Sequence, residues 1–178
     1  HYQFEAIHPF LDGNGRIGRL LLSLLLVQWK LLPLPLLYLS AYFHRHRQMY
    51  YDLLLGVSEH GDWYAWLLFF LRGVAEQAED ALRRARRLQD LQEGWHRHLS
   101  SARTSALALR LVDALFSAPI LTVPQPQRLL GVTYHSAQNN IERLVQVGIL
   151  RLIHDVARGK TYIASEILDI IHSELQPE

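Results

Sequence analysis

The residues best suited to do chemistry in this 178-residue chain lie close together, in the run HPFLDGNGRIGR at positions 8–19. A histidine, a carboxylate, two glycines around an asparagine and two arginines occur there at short, fixed spacings. Glycines let a backbone turn sharply and bring its N–H groups close to an anion, and planar guanidinium groups match phosphate oxygens. The run therefore predicts a loop that holds a polyphosphate and moves one of its phosphoryl groups onto a hydroxyl.

An apolar run follows the glycines and predicts a helix over residues 17–29. The first turn of such a helix directs free N–H groups and the positive end of the helix dipole toward an anion. Arg16 and Arg19 are three residues apart and share one face of the helix. Because this helix is apolar nearly all round, we expect other helices to cover it on every side.

Two more side chains of the loop have roles that follow from their chemistry. His8 precedes Pro9, which ends the helical turn of residues 2–7 and leaves the imidazole facing the loop. Such an imidazole can take a proton from a hydroxyl near neutral pH. Asp12 would be repelled by bound phosphates unless a Mg²⁺ ion lay between them. We therefore expect His8 to be a general base and Asp12 a magnesium ligand.

Taken singly, each feature of the loop is common in proteins that lack this chemistry. A lone Gly-x-Gly turn or a lone histidine is more often structural. The run also lacks the Gly-Lys-Ser/Thr ending of a P-loop and the glycine fingerprint of a dinucleotide site. The prediction depends on all the parts occurring together.

Position for position, the run resembles the motif His-x-Phe-x-Asp/Glu-Gly-Asn-Gly-Arg-x-x-Arg of the Fic family. The resemblance implies transfer of AMP from ATP to a Tyr, Thr or Ser hydroxyl of a target protein. It implies that His8 is the base and that Asp12 binds Mg²⁺. It further implies an anion hole formed by Gly13, Asn14 and Gly15. The contacts to the β- and γ-phosphates are then made by Arg16 and Arg19.

The two glycines also distinguish branches of this family. The Doc branch, which phosphorylates, has an Ala-Asn-Lys-Arg version of the motif, so the chain resembles the nucleotidylating branch. The similarity continues downstream through residues 39–42, 50–54 and 61–71. In related bacterial proteins a tyrosine pair lies near the adenine, which makes Tyr50 and Tyr51 candidates for nucleotide binding; the alternative is that they pack in the core and at its rim.

Two other functions stay open at the level of sequence. The same site could transfer UMP, phosphocholine or phosphate, or could remove AMP, because the walls of the pocket that select the donor lie largely outside the motif. Alternatively, the chain could be a DNA-binding regulator whose Fic part senses nucleotide.

Composition limits the remaining choices. Hydrophobic residues make up 49% and charged residues 20% of the chain, as in ordinary globular proteins. A net charge of +1 does not favour general polyanion binding. Cysteine is absent, which excludes disulfides and favours a reducing cytoplasm. The apolar stretches 20–27 and 31–39 are shorter than the roughly 18–20 residues that cross a bilayer, so we expect no membrane span.

The order of patterns predicts a mainly α-helical chain. We expect the C-terminal part of a Fic-type helical bundle over 1–74, a linking helix over 75–103, and a winged helix-turn-helix domain with one β-hairpin over 104–178. Residues that could face DNA are His135, Gln138 and Asn139 on the second helix of the motif and Arg158 and Lys160 on the wing. Acidic residues offset the basic ones over 104–178, and Pro124 and Pro126 are expected to disturb the preceding helix, so a protein-contact domain is favoured over DNA binding.

Fic proteins have further helices before the motif, whereas only seven residues precede His8. We therefore expect a piece truncated at the N-terminus, whose partners are those missing helices or a second chain. The uncovered apolar helix predicts self-association or retention of a preceding segment. Whether this piece is active by itself stays open.

Overall fold

The structure is a computed structural model that describes residues 1–101, 106–156 and 159–173. It is mainly helical and contains one small antiparallel sheet, which confirms the expected fold class at this level. The described residues divide into two compact units, one within 1–83 and one within 84–173. The boundary between the units falls within one long helix.

Unit 1 is built from helices alone. They are α1 (Tyr2–Ile7), α2 (Asn14–Gln28), α3 (Leu39–Arg45), α4 (Arg47–His60) and the first part of α5 (Trp63–Ser101). The segment that contains Pro33 and Pro35 separates α2 from α3, as the sequence predicts. Gly61 ends α4 in the left-handed conformation, with φ of 67°.

The core of unit 1 is largely aromatic. The rings that contact one another here are all buried: Tyr42 and Phe43 from α3, Tyr50 from α4, and Trp66 and Phe69 from α5. Burying a large apolar side chain of this kind contributes about 1.5–3 kcal/mol. This cluster packs α3, α4 and α5 against one another.

Two expectations for unit 1 need correction. Helix α2 begins at Asn14 instead of residue 17, because Gly13 adopts φ of 82° and its carbonyl accepts the N–H of Ile17. Leu20 and Leu24 of α2 are about half exposed, which agrees with the expected uncovered apolar face. The apolar stretch ending near residue 74 and the charged stretch after it form one continuous helix, α5.

Unit 2 begins with the second part of α5. It continues through α6 (Ala106–Leu115), β1 (Ile120–Thr122), α7 (Pro124–Leu130), α8 (Tyr134–Gln146), β2 (Arg151–Val156), β3 (Gly159–Ile163) and α9 (Ser165–His172). From α6 onward, the elements follow the order helix–strand–helix–helix–strand–strand–helix. The core is made by α6, α8 and α9 with the sheet, and its most buried members include Leu111, Ile141 and Ile167.

The sheet has three strands in the order β1-β3-β2, where the sequence predicted only a hairpin. Strand β1 pairs antiparallel with β3 and places Leu121 opposite Tyr162. A three-residue strand beside Pro119 is too short to show alternation in the sequence, so its formation depends on the neighbouring strand.

The turns around α7 and α8 follow from single residues. Pro124 is the first residue of α7 and so starts this helix instead of disturbing it, since the missing N–H of proline is not needed there. Gly131 ends α7 with φ of 67°. Thr133 caps α8 as predicted, because its Oγ1 accepts the N–H of Ser136 at 3.3 Å.

Within the part of the chain that the structure describes, none of the helices combines the length and apolarity needed to cross a bilayer. Arg158, predicted to lie on the wing, falls outside the described residues, as does the expected domain boundary at 103/104.

Candidate active site

The loop between α1 and α2 is held in shape by the side chain of Asn14. Its Oδ1 accepts the N–H of Phe10 at 2.9 Å, and its Nδ2 donates to the carbonyl of Phe10 at 2.5 Å. Asn14 is only 2% exposed. Both ends of the amide are therefore used within the loop, and Asn14 can offer a ligand its backbone N–H but not its side chain.

The start of α2 presents an anion-binding end. The N–H groups of residues 14–16 belong to the first turn and have no acceptor within the helix. The positive end of the helix dipole lies at the same place. Gly13 makes this entry possible, since its φ of 82° is a conformation that L-residues with a side chain rarely adopt.

The two arginines of the motif fold back over the glycines. A Cβ atom placed on Gly15 would lie 3.0 Å from Nη1 of Arg19, and one placed on Gly13 would lie 3.3 Å from Nη2 of Arg16. The missing side chains thus leave room for both guanidinium groups beside the N-terminus of α2. The structure brings Arg16, Arg19 and the free N–H groups together, which is an arrangement suited to phosphate oxygens.

Asp12 is an exposed carboxylate at the edge of this anion site. Its Oδ1 accepts the N–H of Gly13 at 2.6 Å, and its Oδ2 lies 3.2 Å from Nη2 of Arg16. Among the described residues, the structure contains no cluster of three or more metal-ligating side chains. A single carboxylate fits Mg²⁺, which is held by one or two carboxylates together with substrate phosphates and water.

His8 lies at the opposite end of the loop, at the C-terminus of α1. Its Nδ1 is 3.1 Å from the backbone carbonyl of Glu5. A carbonyl can only accept, so we assign the proton of the neutral ring to Nδ1. The lone pair of Nε2 is then free on an exposed ring, which is the form that a general base requires.

Tyr50 and Tyr51 meet Arg19 at a cleft of about 180 Å³. Tyr50 is buried, its hydroxyl is 2.9 Å from Nε2 of His1, and burial raises its pKa. Tyr51 is about half exposed, and the guanidinium of Arg47 lies 5.6 Å from the centre of its ring. The exposed ring of Tyr51 is therefore the one available to a ligand, whereas Tyr50 belongs largely to the core.

Comparison with known proteins agrees with this arrangement. The sequence model of the Fic/DOC family matches residues 1–26, which include the whole loop and most of α2. The N-terminal part of this chain is therefore similar to the Fic/DOC family. The protein adenylyltransferase Fic of Aedes aegypti is 38% identical over 82 residues, which are 46% of this chain and 14% of that protein.

Two further comparisons are more limited. A probable protein adenylyltransferase of Aquifex aeolicus is 64% identical over 28 residues, which are 16% of this chain and 9% of that protein. The chain thus covers only a small share of the length of the Fic-family relatives it matches. A MarR family transcriptional regulator from Silicibacter pomeroyi aligns over 67% of this chain and 73% of its own, with 18% identity and a TM-score of 0.34, too low to define a common fold.

Sequence reasoning missed His1 and Glu5, two residues before the motif that contact α2 at Gly18. His1 places Nδ1 3.0 Å from the carbonyl of Gly18 and Nε2 on the hydroxyl of Tyr50, so that it ties α1 to α2 and α4. Glu5, one turn before His8, packs against Gly18. The spacing of His1, Glu5 and His8 by four and three residues places them on one side of α1, and this was the available indication.

Proposed function

We propose that the complete protein transfers AMP from ATP to a hydroxyl side chain of a target protein, with His8 as the general base. The observation that carries the proposal is the start of α2, where the guanidinium groups of Arg16 and Arg19 lie beside Gly13 and Gly15. His8 lies at the other end of the same loop, with Nδ1 on the carbonyl of Glu5. Matched relatives named protein adenylyltransferases support the nature of the transferred group.

In this proposal the polyphosphate binds at the start of α2. The N–H groups of residues 14–16 and the two guanidinium groups contact the β- and γ-phosphates. Asp12 would hold Mg²⁺, whose charge offsets that of the phosphates. The adenine would lie toward the cleft that contains Tyr51, while Tyr50 supports this cleft from the core.

The chemical step follows from these positions. The oxygen of the target hydroxyl attacks the α-phosphorus while Nε2 of His8 accepts the hydroxyl proton. The bond from the α-phosphorus to the oxygen that bridges to the β-phosphate breaks, and pyrophosphate leaves toward Arg16 and Arg19. A positioned base typically contributes about 10²- to 10⁴-fold to such a rate.

We further propose that unit 1 is the C-terminal part of a Fic core and that unit 2 is a winged helix domain that contacts protein. Helix α8 exposes His135 and Asn139, but Gln138 bonds to the acidic Glu142 at 2.8 Å on the same helix. Acidic residues on this surface disfavour DNA, whose affinity depends on neutralising phosphates.

The test uses the full-length protein with a cell lysate and ATP that is labelled either at the α- or at the γ-phosphate. We expect lysate proteins to retain label from the α-position only, and retention to require His8. Retention from the γ-position would show phosphorylation and refute the proposal, as would the absence of transfer from either position.

A further inference from the structure

His1 makes two side-chain hydrogen bonds at the start of α1, each to a different helix. Its Nδ1 lies 3.0 Å from the backbone carbonyl of Gly18 in α2, and its Nε2 lies 2.9 Å from the hydroxyl of Tyr50 in α4. The carboxylate of Glu5 is farther from Nδ1, at 3.9 Å, and the side chain of His1 is only 4% exposed. Because a carbonyl can only accept, we assign the proton of the neutral ring to Nδ1, and Nε2 then accepts the hydroxyl proton of Tyr50.

Packing alone does not require a histidine at this position. The ring of His1 lies among aromatic side chains, with its centre 5.8 Å from that of Trp66 and 6.4 Å from that of Phe43. An apolar side chain would fill such a place without the cost of burying two polar nitrogen atoms. The carbonyl of Gly18 lies inside α2, where the N–H four residues later already bonds to it. The bond from His1 therefore adds a tie between α1 and α2 and does not replace a missing bond of α2.

Hydrogen bonds lead from this tie to the ring of His8 at the other end of α1. The backbone carbonyl of His1 accepts the N–H of Glu5 at 2.9 Å. The backbone carbonyl of Glu5 in turn accepts the Nδ1 proton of His8 at 3.1 Å. The proposed base is thus joined to Gly18 of α2 through the backbone of one short helix.

The groups that bind phosphate in the proposed function are carried by α2 itself. Arg16 and Arg19 lie on this helix, and the free N–H groups belong to its first turn. The base, by contrast, is carried by the end of α1. The distance between the base and the phosphate site therefore depends on the contacts that tie α1 to α2.

We infer that His1 is a positioning residue that fixes α1 against α2 through Gly18 and so places Nε2 of His8 toward the bound nucleotide. The role in catalysis rests on the proposed function. A displacement of a catalytic group by about 1 Å can lower a rate on the order of 10²-fold. Loss of the bond to Gly18 should therefore lower the rate of transfer, while the affinity for ATP stays unchanged.

Two amide variants separate the two bonds of His1. The amide nitrogen of asparagine is as many covalent bonds from Cα as Nδ1 of histidine, and the amide oxygen of glutamine is as many as Nε2. His1→Asn therefore keeps the bond to Gly18 and loses that to Tyr50, whereas His1→Gln keeps the bond to Tyr50 and loses that to Gly18. Since each variant loses one hydrogen bond, their melting temperatures should be similar.

The test measures the initial rate at which the full-length protein transfers α-labelled AMP to lysate proteins at saturating ATP, together with calorimetric titration by ATP in Mg²⁺. We expect His1→Gln to lower this rate by about 10- to 100-fold and His1→Asn to stay within about threefold of the wild type. Both variants should bind ATP as the wild type does. Tyr2→Phe is the matched control, because it removes a bond between α1 and α4, made to Ser58 at 2.9 Å, and should leave the rate unchanged.

Equal rates for His1→Asn and His1→Gln would overturn the inference, and so would a loss of ATP affinity that matches the loss of rate. Unfolding of either variant at the assay temperature would also overturn it, since the role of His1 would then be structural. Crystal structures of both variants separate the inference from the proposed function. If the wild type transfers no AMP, the proposed function fails, and the inference stands only if the His8 ring moves relative to Gly13 in His1→Gln and not in His1→Asn.

Discussion

His8 combines an unusual backbone with a well-defined ring. Its φ of 53° and ψ of 56° are left-handed values that cost a residue with a side chain about 1–3 kcal/mol. The conformation ends α1, and the ring is anchored to the carbonyl of Glu5. Strain at this residue agrees with a functional role, because a residue chosen for stability alone would be glycine or asparagine.

A variant that keeps this backbone separates chemistry from folding. Asparagine adopts the left-handed conformation readily, so we expect His8→Asn to change the free energy of unfolding by less than about 0.5 kcal/mol. Loss of the base should lower the rate of AMP transfer by about 10²- to 10⁴-fold. Initial rates with α-labelled ATP and urea denaturation measure the two effects. A rate within threefold of the wild type would exclude His8 as the base.

At the scale of residues, the sequence predicts the polar groups of the motif but not what holds them. The types and spacing of His8, Arg16 and Arg19 predict an anion site, because their chemistry is carried by the side chains themselves. The position of Asn14 depends on the path of the backbone, which brings the amide of Phe10 back to it. Contacts such as that of Glu5 with Gly18 join two helices and have no local pattern.

Helix α1 depends on its packing against α2. Six residues are too few for a stable isolated helix, and its contact with α2 requires the open space at Gly18. The base at the end of α1 and the anion site at the start of α2 are therefore aligned by one close helix–helix contact. A methyl group at Gly18 would have to displace the carboxylate of Glu5.

Two glycine substitutions test this alignment. Gly18→Ala would place Cβ against the carboxylate of Glu5, and we expect it to lower the free energy of unfolding by about 1–3 kcal/mol. Gly56→Ala is the control: Gly56 lies within α4, and a Cβ there meets no atom within 4 Å. It should raise the free energy of unfolding by up to about 1 kcal/mol. Equal changes in the free energy of unfolding for the two variants, measured by urea denaturation, would contradict the close contact between Gly18 and Glu5.

In unit 2, α5 and α6 are joined by a polar contact that depends on pH. Oδ1 of Asp113 accepts hydrogen bonds from Gln92 at 2.7 Å and from Nε2 of His96 at 2.8 Å. Partial burial acts to raise the pKa of Asp113, but these bonds outweigh it and hold the pKa below its usual value. A lowered pKa stabilises the fold above the ordinary carboxyl pKa, and this contribution is lost as pH falls through the folded-state value.

We therefore expect Asp113→Asn to lower the free energy of unfolding at pH 7 by less than about 1 kcal/mol, because the contact is partly exposed. At pH 3 and below the difference from the wild type should shrink. Glu142→Gln is a control on α8, where the carboxylate bonds only within its helix. A difference of the same size at both pH values would show that the charge of Asp113 contributes nothing.

At the scale of the whole molecule, the positions of most helices could be predicted, but their extent and exposure could not. The apolar and charged stretches that meet near residue 74 suggest two elements, yet nothing in the sequence there breaks a helix, and α5 continues. The apolar circumference of α2 predicts burial, yet Leu20 and Leu24 are about half exposed. Burial depends on which neighbours are present, and a pattern within one helix does not specify them.

A large apolar groove in unit 1 makes association the expected behaviour of the isolated chain. This groove of about 830 Å³ lies between α2 and α5 and is lined by leucines and by Trp29, Trp63 and Trp66. Exposed apolar surfaces of this size commonly bind another protein surface. We expect sedimentation velocity to show a second copy of the chain bound at micromolar concentration.

Leu71→Glu should raise the dissociation constant of the dimer at least tenfold, because Leu71 lines the groove and is 59% exposed. Leu82→Glu is matched to it on the same helix, with 58% exposure outside the groove, and should leave association unchanged. A monomeric wild type, or an equal response of both variants, would contradict this role of the groove.

The central claim is that a nucleotide binds with its phosphates at the start of α2 and its α-phosphorus facing His8. A crystal structure of the full-length protein with Mg²⁺ and a non-hydrolysable ATP analogue tests this most directly. We predict that the phosphates contact the N–H groups of residues 14–16, Arg16 and Arg19, and that Nε2 of His8 faces the α-phosphorus across the space for a hydroxyl. A nucleotide bound elsewhere, or with its γ-phosphorus facing His8, would contradict the claim.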